Sequence, residues 1–293
     1  SASRSRTALP AAAALARETA AETPAVAVRV SSAGGRVVSW QLKAYRANGA
    51  TVWEELVPLR AARTAAGPVS VRLSDDPDAV AAPAAVVVEG GVVTMTQRLS
   101  RGRTLVKRLT LPVKGYLAKL ELELAGPLPE SLEVLWTPGV GLSPDEEALL
   151  RRPETYQNIP AALVLSRKDK LSQGEAKAAA GKRAADPFWA AVRNKYFVAA
   201  LIPPAPAACE GVTAVDGVAA TDGSRNHLAA AVTFTLAPGG SAARIPLTLY
   251  AGPQQVDELE AAGARLEKVM DLGWFGWLAL PMVRVLKFLA AFV

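Results

Sequence analysis

Glu121 and Glu123 come nearest to acid–base chemistry. They project from one face of an extended segment, as the carboxylate pair of a sugar-cleaving enzyme would. Their neighbours give a plainer account. Leu120, Leu122 and Leu124 alternate with Lys119, Glu121 and Glu123, which is the pattern of a half-buried strand whose charged face meets water. The other chemical side chains lack partners in the sequence. His227 is the single histidine, set between Asn226 and Leu228 at the start of a strand, so histidine-based metal sites are excluded by count. Cys209 is the single cysteine, which rules out an internal disulfide but not an oxidising compartment, and no histidine near it forms a recognised catalytic pattern. Ser143 in GLSPD is not a nucleophile elbow, because Asp145 stands where the second glycine belongs. Gly174 to Lys182 is not a phosphate loop, because six residues rather than four separate Gly174 from Gly181 and Arg183 replaces the metal-binding hydroxyl. No catalytic residue, cofactor site or metal site is assigned.

The elements around these residues are strands. From Ala25 to Gly126 period-two alternation recurs, with Val38, Trp40 and Leu42 on one face and Ser39, Gln41 and Lys43 on the other. AVVVEGGVVTMTQRL reads as a hairpin, since Gly90 and Gly91 accept the positive φ of a two-residue turn. Between Pro127 and Pro187 the pattern loosens, and long loops with hairpin excursions are expected. Strands return at Tyr196–Ile202, at Leu228–Leu236 with Leu228, Ala230, Val232, Phe234 and Leu236 inward, and at Ile245–Leu249. Pro246 puts this last strand at an edge or at a position that forms no ladder bond. Residues 1–24, rich in Ala, Ser, Thr and Arg, are expected to form a flexible tether. The fold class is mainly β: a large antiparallel β-sandwich over 25–252, with no βαβ repeat.

An amphipathic helix follows over 253–273, running from Asp257 to about Met270 with Leu259, Leu266 and Met270 packed on the sandwich. Asp257, Glu258 and Glu260 suit its first turn. The last twenty residues, WFGWLALPMVRVLKFLAAFV, carry only Arg284 and Lys287 as charges. That is long enough to span a bilayer. Three features favour the bilayer surface instead: Trp274 and Trp277 cluster with Phe275 at one end, Pro281 starts a new helix after Leu280, and the two cations share a face opposite Met282, Val285, Leu286, Leu289 and Phe292. The competing reading is a core helix packed on the sandwich. The net charge of +6 forms no run of cations interleaved with aromatics, so nucleic acid is not an expected partner.

Three ordered blocks carry a resemblance. AGGRVVSWQLKAY from Ala33, then Phe188–Trp189 with NKYFVAALIPP from Asn194, then LYAGP through DLGWF to LALPMVRVLKFLAAF resemble the YidC/Oxa/Alb membrane protein insertases. The matching region is the large periplasmic domain and its junction with the membrane core. The resemblance implies a twisted supersandwich of galactose-mutarotase type, facing the periplasm at the bacterial inner membrane. It also implies a non-enzymatic role in inserting and folding inner-membrane proteins. The implied partners are hydrophobic segments of nascent membrane proteins, lipid at the C-terminal helix, and the Sec translocon with its accessory subunits. It further implies that the tether leads to an N-terminal membrane anchor and that 274–293 leads to a membrane core. The alternative is a non-catalytic sugar- or peptide-binding sandwich; a mutarotase is disfavoured because it needs histidine acids beside a carboxylate base.

Overall fold

The computed structural model describes residues 16–47, 51–58, 66–141, 160–168, 170–174, 182–221 and 228–270. Among them eighteen strands, numbered in chain order, form three antiparallel sheets. The four-stranded sheet runs β1 (Glu18–Glu22), β2 (Val26–Ser31), β3 (Arg36–Arg46), β4 (Trp53–Glu55). The five-stranded sheet runs β13 (Lys182–Ala185), β16 (Val212–Thr221), β17 (Leu228–Leu236), β10 (Ser131–Trp136), β5 (Ser70–Leu73). The nine-stranded sheet runs β12 (Leu171–Gly174), β11 (Ala161–Ser166), β14 (Pro187–Arg193), β15 (Phe197–Ile202), β18 (Ala242–Pro253), β9 (Leu117–Ala125), β8 (Thr104–Thr110), β7 (Val92–Arg98), β6 (Ala84–Glu89).

One continuous core draws on all three sheets, which makes the domain a sandwich. Alternation supplies it: Leu120, Leu122 and Leu124 of β9 and Ile245, Leu247 and Leu249 of β18 are all buried. Each such side chain contributes roughly 1.5–3 kcal/mol by leaving water. Trp40 of β3 and Trp136 of β10 meet edge to face at 6.2 Å between ring centroids, joining the two smaller sheets. The hairpin of β6 and β7 turns on Gly90 and Gly91, at φ +54° and +80°, with Glu89 opposite Val92. Pro246 is not at an edge, since β18 lies between β15 and β9. Arg244 exchanges both backbone hydrogen bonds with Glu210, at 3.0 and 2.9 Å. Period two turns the nitrogen of Pro246 to the same side, where β15 has already ended at Ile202 opposite Thr248. The missing N–H therefore breaks no ladder bond.

Three expectations need correction. The expected tether includes β1, which pairs with β2 from Glu18↔Ser31 to Glu22↔Ala27 and buries Ala21. Ladder bonds order this segment, although its small side chains give little hydrophobic pattern. The stretch between Pro127 and Pro187 is not chiefly loop in its described part, because β10 is an interior strand of the five-stranded sheet, between β17 and β5, and every residue of β11 is buried. A strand covered on both faces loses the alternation that reveals strands. The single helix expected from Asp257 to Met270 is broken: α1 (Val256–Ala262) stops at Gly263, and a 3-10 turn follows over Leu266–Val269. Gly263, Ala264 and Arg265 all adopt positive φ, a chain reversal that α-helix cannot contain.

Candidate functional site

The candidate site is the outer face of the nine-stranded sheet at β11, β14, β15 and β18, where the C-terminal helical segment lies on the sandwich. Leu163, Leu165, Trp189, Ala191, Val198, Ala200 and Tyr250 form a second apolar cluster there, outside the main core. Leu259 of α1 and Leu266 and Val269 of the 3-10 turn close over it with no exposure, and half-buried Met270 packs at its margin. The break at Gly263 still leaves Leu259 of α1 and Leu266 and Val269 of the 3-10 turn facing the same sheet. Leu259, Leu266 and Met270 thus share one cluster. Val269 completes it without having been singled out, because on one continuous helix it would flank the stripe of Leu259, Leu266 and Met270 instead of lying on it.

Polar groups fix the entry to this segment. Asn194 is buried, and its Oδ1 accepts from the backbone N–H of Tyr196 at 2.9 Å and of Phe197 at 2.7 Å, closing the turn from β14 to β15. Its Nδ2 donates to the carbonyl of Gly141. Gln254 Nε2 donates to the Asn194 carbonyl at 2.7 Å, and the Gln254 N–H donates to the Tyr196 carbonyl at 2.7 Å. The chain is therefore pinned at the step between β18 and α1. Tyr250 Oη donates to the Pro253 carbonyl at 2.8 Å, and its ring meets that of Tyr116 at 6.2 Å. A Cβ on Gly252 would stand 2.5 Å from Tyr116 Cγ, so glycine is what lets that ring lie across β18. Burial pushes both phenol hydroxyls up in pKa, which keeps them neutral hydrogen-bonding groups.

Elsewhere on the sandwich, several charged groups hold structure. Glu123 pairs with Arg108 at 2.8 Å, and Arg244 reaches Glu121 at 3.7 Å and Glu123 at 3.8 Å. The two carboxylates are thus rungs of an exposed ion-pair ladder. Burial pushes the thiol of half-buried Cys209 up, away from thiolate reactivity. Sequence reading passed over Lys107, although it occupies an inward register between Leu105 and Leu109 of β8. Its Nζ, fully buried, donates to the carbonyls of Gly34, Gly35 and Val69, the first at 3.0 Å and the last at 3.3 Å. Burial lowers its pKa to about 7. Arg103, equally buried, donates to Asp75 at 2.7 Å, and Asp76 accepts from Ser100, a hydrogen bond that lowers the Asp76 pKa. These groups join the sheet ends.

His227, Ser143, most of the stretch from Gly174 to Lys182, and every interface residue expected from Trp274 to Phe292 lie outside the described residues. Among the described residues no three of His, Cys, Asp and Glu gather in a metal-holding group, and no helix is long and apolar enough to cross a membrane.

Residues 18–285 match the family described as YidC periplasmic domain. A protein of Geobacter metallireducens named Membrane protein insertase YidC is 33% identical over 145 residues, which is 48% of this chain and 25% of that protein. One of the same name from Chlorobium phaeovibrioides is 40% identical over 93 residues, 32% of this chain and 15% of that protein. The matches thus take in about a quarter or less of these relatives' length. Among solved structures, a galactose mutarotase related enzyme from Lactobacillus acidophilus superposes with a TM-score of 0.49 at 11% identity, over 80% of this chain and 97% of that one. A likeness of that size carries no argument about sugar chemistry.

Proposed function

The chain belongs to the YidC periplasmic domain family, and from that premise we propose that it is the extracytoplasmic, non-enzymatic domain of an insertase that moves hydrophobic segments into the bacterial inner membrane and assists their folding. The observation that carries this reading is the extent of the family match, which runs through the whole sandwich, across the helical segment and into the apolar tail. In this reading the work is partitioning, with no bond made or broken. The sandwich faces the periplasm, and Trp274 to Val293 lie along the membrane–water boundary. There Trp274, Trp277, Leu289 and Phe292 dip toward the acyl chains while Arg284 and Lys287 meet headgroups. The clients are hydrophobic segments of nascent membrane proteins, and the Sec translocon with its accessory subunits shares the exit.

The buried helical segment supports this arrangement physically. Because the second cluster and the Gln254 hydrogen bonds hold it to the sheet, the tail begins from a fixed place on the sandwich. Two experiments test the reading. Liposome flotation of the intact chain beside one ending at Asp271 should show that the tail carries membrane binding; equal flotation would return the tail to a core helix. In cells depleted of their own insertase, a complete protein bearing this domain should restore insertion of a reporter's hydrophobic segment. Failure to insert, with normal membrane accumulation, would overturn the insertase role.

A further inference from the structure

We propose that the sandwich itself carries a second lipid contact: the end formed by the β11–β12 hairpin and the 3-10 turn docks on anionic headgroups beside the tail. The inference rests on the interfacial reading of the tail, and it assigns to the folded domain a contact that the tail does not supply. Phe188, at the start of β14, is the centre of this end. The guanidinium of Arg167, at the close of β11, lies 5.1 Å from its ring centroid, and that of Arg265, in the reversal after α1, lies 5.9 Å from it. Two cations far apart in sequence are thus brought onto one half-buried ring.

Arg167 is fixed further. Its Nε donates to Asp186 at 2.9 Å, and its backbone N–H donates to the Asp186 carbonyl at 2.9 Å. Lys168 and Lys170 follow in the same tight hairpin, both exposed, and Lys268 follows Arg265 in the 3-10 turn. Against these five cations stand Asp169 and Glu267 in the same stretches of sequence, Asp186, which pairs with Arg167, and Asp271, which follows the 3-10 turn, and this leaves an excess of 5 − 4 = 1 positive charge. The other end of the helical segment has the opposite sign, with Asp257 and Glu258 in the first turn of α1 and Glu260 after them.

The segment is therefore acidic at its start and balanced at its end, where Arg265 and Lys268 join the cations of the hairpin and from which the chain continues toward Arg284 and Lys287. Charge complementarity selects an anionic lipid surface as the occupant. Guanidinium groups held over a ring reach that surface with less conformational entropy to lose than freely mobile lysines. Each cation that reaches an anionic leaflet is worth on the order of fivefold in binding.

The test is flotation of the full chain on vesicles of phosphatidylcholine alone and on vesicles that also contain phosphatidylglycerol. Circular dichroism checks that each variant is folded. Arg167→Gln, Lys168→Gln and Lys170→Gln together should weaken binding to the anionic vesicles by roughly tenfold or more and leave neutral vesicles unaffected. Rising salt should erase the difference. Trp274→Ser with Trp277→Ser should weaken binding to both vesicles. Equal binding of the triple variant and the wild type to anionic vesicles overturns the proposal, as does an equal loss on both kinds. If the tryptophan variant binds like the wild type while the triple variant does not, the interfacial tail falls and the docking end stands. If the wild-type chain floats with neither vesicle, both fall.

Discussion

The two halves of the nine-stranded sheet share one inner core and differ on the outer face. From β6 to β9 the outer face meets water, and burial alternates residue by residue, as in β8, where Leu105, Lys107 and Leu109 are buried and their neighbours are not. From β11 to β15 and into the C-terminal part of β18 the outer face lies under α1 and the 3-10 turn, and alternation gives way to runs such as AALVLS, buried at every position. The difference shows how cover is written into a strand. A face that meets water must keep Thr, Glu and Arg there, whereas a covered face is free to fill with Ala, Leu and Val.

The sharpest way to break this comparison is to uncover the covered half. Leu266→Ala should cost about 2–5 kcal/mol in urea unfolding, as large-to-small changes in cores do. Thr94→Ala, on the open face of β7, should stay within about 0.5 kcal/mol. Equal and small effects would mean that the helical segment rests on the sheet without stabilising it. The seam between the halves is tested by Gly252→Ala, whose new methyl meets Tyr116 and should cost roughly 1–3 kcal/mol through overpacking. An unchanged midpoint would show that the Tyr116 ring moves aside without penalty.

The open half hides its charge inward instead, and pH reads that directly. The amine of Lys107 has a folded pKa of about 7, below its ordinary 10.5, so between those values the unfolded chain holds a proton that the folded one does not. Stability should therefore rise with pH through that window, by up to about 1.4 kcal/mol per unit from this group, and fall as pH drops toward 7. Lys107→Met should remove that slope in a pH series of denaturant midpoints; a slope unchanged by the substitution would place its origin elsewhere. The smallest expected effect belongs to the exposed ladder. Glu123→Gln should change stability by less than about 0.5 kcal/mol at physiological salt, because its pairing with Arg108 is open to water. A larger loss would show that the open face is organised by charge.

The same contrast explains what the sequence made legible. β7, β9, β17 and the Gly90–Gly91 turn stood out because one wet face leaves a period of two. β11 was hidden because both its faces are dry, and β1 because Ala and Thr bury too little to mark a face. The helical segment could be placed on the sandwich from Leu259 and Leu266, but its break could not be read: Gly263 is tolerated inside many helices, and neither Ala264 nor Arg265 is a residue type that announces a positive φ. Lys107 stood in plain view at an inward register, yet only the fold brings Gly34, Gly35 and Val69 to its amine.

β18 has a mechanical consequence. It is held across nine positions by β9 and six by β15, so a pull along its axis must shear many hydrogen bonds together. The segment beyond Pro253 is held by the Gln254 hydrogen bonds and, past them, by side-chain contacts that peel away one after another. Tension transmitted from the C-terminal side would thus release the 3-10 turn and α1 first, paying out slack before any load reached the sheet.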